Sequence, residues 1–526
     1  REVATLCIRL DGLPLAIELV ARRVKLLSPT LLLARLDRRL LFTSDGLRDS
    51  TPRQQTLRNA ILWSYELLTP PEQKLFARLS VFADGFTLEA AEAICNRAGD
   101  LGIEVLDGLA SLFDKSLITR KDDQAGHPRF GMLELIHEFA LEQLERSGEL
   151  ASLRTIHAHY YFEFATEADK YLRSPEQLPW FQQLEAEQQN MRSVLEWSAS
   201  EAGDPLFGLQ LVHALSWFWF IRCYYSEGSR WIDRLLAVAG ERISLPYQAL
   251  AFSLTSLFMI GVDDFERGRR SGEQALLLAR QLYVRPLLSQ ISVCLCHHYV
   301  CQGQLHRAAQ LMTETIDALR SAPGNDWTIG KLLCNLLCFH EEYEEAAGPL
   351  IAEALPLAER LGDRYLLACT YTLVGTYVSA RGDFQRATTL HKDSLRLAQS
   401  LQSWRNIVID LELLGDMAQM NGQIEEASNY YSKGLEVARK TGTPGWIAAF
   451  LRDQGSMAQL RGDGQEALKY YRQALTLVQS LGHHLFVASC LPAVALILVE
   501  RGLLVDATRL IAASQALFPM INEPVI

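Results

Sequence analysis

With 526 residues the chain exceeds what a single hydrophobic core serves, so several domains or a repeat array are expected. Hydrophobic residues at 49% and charged residues at 21% exclude a disordered chain, and a formal net charge of -11 argues against nonspecific attraction to nucleic-acid phosphates. Apolar runs such as Leu215 to Ile221 and Leu491 to Val499 fall short of the roughly 20 residues a membrane helix needs, and ten cysteines without paired spacing suit a reducing cytoplasm.

In chain order, Arg1 rather than Met opens an amphipathic stretch, which predicts a segment cut from a longer protein. Leu10 to Ala16 carries a Gly and a Pro that turn the backbone into a helix ending near Leu27, and Ser28-Pro29 caps another to about Leu40. Residues 52 to 146 read as three helices and a short hairpin: Leu117 to Arg120, a polar turn from Asp122 to Pro128, and Arg129 to Leu133. That order is a winged helix. Its third helix, about Glu104 to Lys115, carries Glu104, Asp107, Ser111, Asp114 and Lys115, and three acids against one Lys face phosphates badly, so DNA is not the expected partner.

Gly12-Leu13-Pro14-Leu15-Ala16, followed by Arg53 to Leu57, Trp63-Ser64-Tyr65 and Leu79 to Phe82, resembles the bacterial NB-ARC nucleotide-switch regulators of signal transduction and transcription. The resemblance implies a remnant of the helical subdomain over 1–48 and a winged-helix domain over 49–150 that packs on an upstream nucleotide-binding module. It also implies ATP or ADP in the intact parent, an adenine contact for Pro14 there, and homo-oligomerisation of that parent. Two features depart from the family. Where many relatives have Met-His-Asp this chain has Met132-Leu133-Glu134, and its Gly330-Lys331 is followed by Leu332 without the earlier Gly of a phosphate loop. The chain is therefore expected to hold no cofactor of its own and to be no enzyme; a Gly-x-Ser-x-Gly elbow and a His-Glu-x-x-His helix are also lacking.

Residues 151–204 form a helical connector after the hydrophobic helix Leu135 to Leu144. From 205 a small or turn-forming residue recurs about every 40 positions: Cys223, Asp263, Gly303, Glu342, Gly382, Gly422, Gly462 and Gly502. Five residues later stand Gly228, Gly268, Ala308, Ala347, Ala387, Ala427, Ala467 and Ala507; seven before come Ser216, Ser256, Cys296, Asn335, Gly375, Gly415, Gly455 and Ala495. Leu or Ile recurs thirteen after the marker, until Gln515. Each unit reads as a helical hairpin, and the offsets resemble the tetratricopeptide (TPR) repeat in a longer form, with HEAT-like solenoids as the rival. The expected fold is mostly α: a winged helix with a small β-hairpin, then a TPR-like superhelix of about eight helix pairs over 205–526.

An array of this kind binds an extended partner along its inner wall. The inward positions of the resembled repeat are Leu332, Leu336 and Phe339, then Thr376, Glu412, Asp416, Gln419, Arg452 and Gln459, giving a groove with an apolar and a polar end. Trp217, Trp219 and Trp231 read as filler between helices. Cys294, Cys296, His297, His298 and Cys301, with Cys334, Cys338 and His340 one repeat on, lack the spacing of a zinc site. The function expected is the cytoplasmic sensor and scaffold of a bacterial regulator: the array binds a protein or small effector and the winged helix relays the switch. The alternative is a transcriptional regulator that binds DNA through the winged helix itself.

Overall fold

The structure is a computed structural model that describes residues 2–9, 17, 21, 28–31, 52–122, 128–240, 243–282, 285–302, 304–321, 324–337, 344–479 and 484–517. The chain divides into two compact units, one of residues 1–165 and 182–203, the other of 166–181 and 204–526.

In the first unit, helices Pro52–Glu66, Pro70–Arg78, Leu88–Cys95 and Val105–Asp114 precede an antiparallel hairpin, Thr119–Asp122 with Pro128–Gly131, and a closing helix Glu134–Ser147. Sequence signals set the helix starts. Thr69 and Glu72 form a capping box ahead of Pro70, and Thr87 accepts from the Ala90 N–H at 3.2 Å. Leu75, Phe76, Leu109, Leu112, Leu117, Phe139 and Leu144 are buried as the core. Phe86 pairs with Phe130 and extends the hairpin, and a Cβ on Gly85 would sit 2.7 Å from the Phe130 carbonyl, so that edge needs a glycine.

Arg78 is almost fully buried and is the polar centre of this unit. Its guanidinium donates to Asp100 Oδ1 at 2.6 Å, to both Glu149 oxygens at 2.9 Å and to the Cys95 carbonyl at 2.7 Å. Glu187 is ion-paired to Arg129 of the wing and accepts from Tyr161 at 2.9 Å, while Asn190 bridges to the Ala83 N–H and the Gly85 carbonyl. The 188–198 helix is thereby sewn onto the winged helix.

In the second unit the described residues from 205 to 517 form eight helix pairs, from Pro205–Ile221 with Tyr225–Ala239 to His484–Glu500 with Leu504–Leu517. The 40-residue marker is a backbone device. Cys223, Asp263, Gly382, Gly422, Gly462 and Gly502 have φ between 58° and 86°, the left-handed conformation that ends a helix. The following N–H reaches back to the helix: Gln423 to Ala418 O at 2.9 Å, Asp463 to Ala458 O at 3.0 Å, Leu503 to Leu498 O at 2.9 Å. Gly303 and Glu342, the other two markers, lie outside the described residues.

The small residue seven positions earlier makes room for a ring on the partner helix. A Cβ on Gly375 would lie 2.8 Å from His391, one on Gly455 2.9 Å from Tyr471, and one on Gly415 would overlap Tyr431. First helices of neighbouring pairs adjoin one another, which puts them on the inside of the curve. Within this unit the chain also meets itself after about four and a half repeats. Gln177 donates to Asp363 Oδ2 at 2.6 Å, Arg222 donates to the Leu401 carbonyl, and the Gly445 N–H donates to Asp263 at 3.1 Å.

Among the described residues no helix is long and apolar enough to cross a membrane.

Candidate functional site

Among the described residues, four α-helices rather than the expected three precede the hairpin between 52 and 146; the last of them, Val105–Asp114, is the one expected as the third and buries Val105, Leu109 and Leu112. Its outer face carries Leu106, 54% exposed, and Phe113, 38% exposed, with Asp107 and Asp114 beside them. Lys115 is engaged within the unit, its Nζ 3.0 Å from Glu72 Oε1, and burial of Glu72 is outweighed by Ser111, Thr69 and Lys115, which bring its carboxyl down to about 2. The exposed cations of the described wing are Arg120 and Lys121 on its first strand. A cavity of about 300 Å³ lies between Ser80 to Ala83, His137, Arg154, His157 and Trp197. Burial holds the His157 imidazole neutral, with its pKa lowered to about 4.

In the array the groove residues expected from the repeat register divide. Leu332 is fully buried in a core cluster with Leu333 and Ala354, and Leu336 packs against it, so these two serve helix packing. Thr376 hydrogen-bonds the Thr372 carbonyl of its own helix at 3.0 Å. Phe339 and Pro14 lie outside the described residues.

The polar end converges. Helices Trp404–Met420 and Pro444–Leu460 are the first helices of adjoining pairs, and they bring Arg452 Nη2 to 3.3 Å from Glu412 Oε1. Arg452 Nε also donates to Asp453 Oδ1 at 2.8 Å. The Tyr431 hydroxyl donates to Asp416 Oδ1 at 2.6 Å and lies 3.1 Å from Gln419 Oε1; the Tyr471 hydroxyl donates to Gln459 at 3.3 Å. Burial, then the Asp453 charge, raise the Glu412 carboxyl to about 7. Burial lifts Asp453 to about 6 against the pull of Arg452. Glu412 and Arg452 each keep 32% of their side-chain surface, so the cluster is reachable from solvent.

Seven positions before Glu412 on the same helix stands Arg405, its guanidinium 5.9 Å from the centre of the Trp446 ring. Lys331 lies 5.2 Å from the centre of the Tyr365 ring. Among the described residues neither cation has a carboxylate partner. Sequence reasoning missed Arg405, Asp453 and the two tyrosines, because the repeat register marks inward helix positions and says nothing of which charges the next helix brings alongside. It also missed a buried knot in which Thr372 and Ser394 donate to Asp410 at 2.8 and 2.6 Å with His391 at 3.6 Å.

Trp217 packs edge-on against Trp327 and Tyr365, each at 5.0 Å, and Trp219 is fully buried. Cys294, Cys296 and Cys334 are buried, and His298 Nε2 is 2.7 Å from the Ser256 carbonyl. Cys338 and His340 lie outside the described residues, and among the described residues no three metal-ligating side chains are grouped to hold an ion.

Residues 68–145 match the family model described as a winged helix-turn-helix domain, and residues 407–479 match the tetratricopeptide repeat. A putative HTH-type transcriptional regulator of Mycobacterium tuberculosis is 32% identical over 387 residues, 69% of this chain and 42% of the relative. The chain thus spans under half the length of that relative. An uncharacterized protein of the same species is 38% identical over 148 residues, 28% of this chain and 37% of that protein. Among solved structures, a Rap protein complexed with competence and sporulation factor superposes with a TM-score of 0.52 at 13% identity, over 69% of this chain and 99% of the other, a likeness of fold.

Two expectations are corrected by these matches. The NB-ARC resemblance is not carried by them: the matched models are a winged helix and a tetratricopeptide repeat, and the regulator relatives are described by their helix-turn-helix. Of the segments quoted for it, Leu79 to Phe82 lies inside the matched winged helix, Arg53 to Leu57 and Trp63 to Tyr65 lie before it on the Pro52–Glu66 helix, and the Gly12 to Ala16 motif lies outside the described residues. The expectation that DNA is not a partner is overturned by the helix-turn-helix match and by those relatives. Its weakness was to count charge on one helix, whereas a winged helix also offers its wing, which here presents Arg120 and Lys121.

Proposed function

We propose that this chain is the regulatory part of a bacterial transcriptional regulator, in which the TPR array binds a peptide or protein partner and the winged helix contacts DNA. The observation that carries the reading is that two recognition modules share one chain: a winged helix with an exposed cationic strand, and a repeat array whose inner helices bear partly exposed charges at Arg405, Glu412, Asp416 and Arg452. The regulator relatives support the DNA half. The Rap structure of similar fold, solved with competence and sporulation factor, supports the partner half. In this reading the chain works in the cytoplasm by binding, without catalysis.

The test is fluorescence anisotropy of labelled duplex DNA titrated with the whole chain at about 50 and 200 mM salt. Binding that weakens steeply with salt, and that weakens further in Arg120→Ala/Lys121→Ala, is the expected result. No anisotropy change at the lower salt would remove the DNA half of the reading.

A further inference from the structure

The carboxylates at the polar end of the array are under-neutralised. Among the described residues, Glu412, Asp416 and Asp453 stand against a single guanidinium, Arg452, which divides itself between Glu412 and Asp453. Asp416 accepts from the Tyr431 hydroxyl and feels the Arg452 charge without a direct ion pair among the described residues. Asp453 is 7% exposed, and its Oδ2 is buried with no hydrogen-bond partner among the described residues. A carboxylate oxygen can only accept, so a buried one without a donor is costly to the fold unless something supplies the donor.

Packing does not ask for this acid. The positions in register with Asp453 in the flanking repeats are Leu373, Leu413 and Ala493, all apolar. An acid that the repeat does not need, placed where it lacks a donor and beside two more acids, has its explanation in what binds there.

We infer that Glu412, Asp416 and Asp453 form a receptor for a guanidinium or ammonium group, the arginine or lysine side chain of the partner that the array binds. The inference rests on the proposed partner-binding role of the array. A planar guanidinium brings five N–H donors and an ammonium three, and either satisfies Asp453 Oδ2 while neutralising Glu412 and Asp416. Among the described residues the neighbours from the adjoining helices include Tyr431, Tyr471, Cys490 and Phe486, whose ring lies 5.5 Å from the Arg452 guanidinium, and these four supply no competing cation. A metal ion fits less well: no set of ligands is grouped for one among the described residues, and each of the three carboxylates already accepts a hydrogen bond.

The experiment is calorimetric titration of the whole chain at about pH 8 with N-acetyl-argininamide, N-acetyl-lysinamide and the neutral isostere N-acetyl-citrullinamide. Saturable binding of the two cations, at least about tenfold tighter than the citrulline compound, is expected. E412Q and D453N should each weaken it by about tenfold or more, while E353Q, whose carboxylate pairs with Arg320 elsewhere, should not. Equal binding of citrullinamide, unchanged binding in both variants, or tighter saturation by calcium chloride overturns the inference. E412Q, at the more exposed edge, keeps the test open if D453N fails to fold by circular dichroism. A parallel selection of displayed linear peptides on the immobilised chain separates the two readings. Selected peptides with no enrichment in Arg or Lys leave partner binding standing and remove the cation receptor, whereas cation binding with no selected peptide removes the peptide partner alone.

Discussion

The Gly445 N–H donates to Asp263 Oδ2 at 3.1 Å across 182 residues of sequence, tying the second repeat of the array to the seventh. Asp263 is also a left-handed turn residue, with φ of 60°. One side chain thus ends a helix and fastens one part of the array to another.

Replacing Asp263 by Ala removes that bond and leaves a Cβ in left-handed backbone, so a loss of about 2 kcal/mol is expected. Asp263→Asn, which tolerates the same φ and keeps an acceptor, should recover most of it. Urea unfolding midpoints of the two variants decide the matter; equal midpoints would show that the contact does not contribute.

Two glycines in the array should fail for opposite reasons. Gly415 faces the Tyr431 ring, so Gly415→Ala overpacks the pair at a cost of about 1–3 kcal/mol, and Gly415→Asn does worse. Gly382 meets nothing within 4 Å but has φ of 86°, so Gly382→Ala costs about 1–2 kcal/mol and Gly382→Asn less. The reversed order of Ala and Asn between the two sites is the measurable signature in thermal melts.

Stability should rise as pH falls from about 8 to about 6.5, below which the histidines that burial holds neutral, His157 and His298 lowered to about 4, pull the other way. Glu412, raised to about 7, and Asp453, raised to about 6, hold protons in the folded chain over a range where the unfolded chain has lost them. Their ionisation therefore disfavours the fold as pH climbs through those values, and the gain on acidification is complete near the ordinary carboxylate range. The double variant E412Q/D453N should flatten the slope of melting temperature against pH. An unchanged slope would place the titration elsewhere.

Arg78→Met should lower the unfolding midpoint of the winged-helix unit by on the order of 3 kcal/mol, because Glu149 and the Cys95 carbonyl lose the Arg78 donor and Asp100 is left with Lys74. Hydrogen exchange of the Leu75 and Leu109 amides reports on that unit separately from the array. Protection that stays at the wild-type level would count against Arg78 as its polar centre.

The sequence by itself determined the repeat. A residue that must adopt positive φ, a small residue under a ring, and an alanine at the close approach of two helices are local demands, so they recur visibly at Gly422, Gly415 and Ala427. The winged helix was legible from the order of helices followed by a short hairpin around a polar turn. Only the tertiary structure decided that Leu332 is core while Glu412 is reachable, that Arg452 reaches across 40 residues to Glu412, and that Arg222 meets the end of the 384–401 helix. Those contacts depend on small rotations summed over several repeats. No single repeat encodes that sum, so charges far apart in sequence become neighbours only once the helices have stacked.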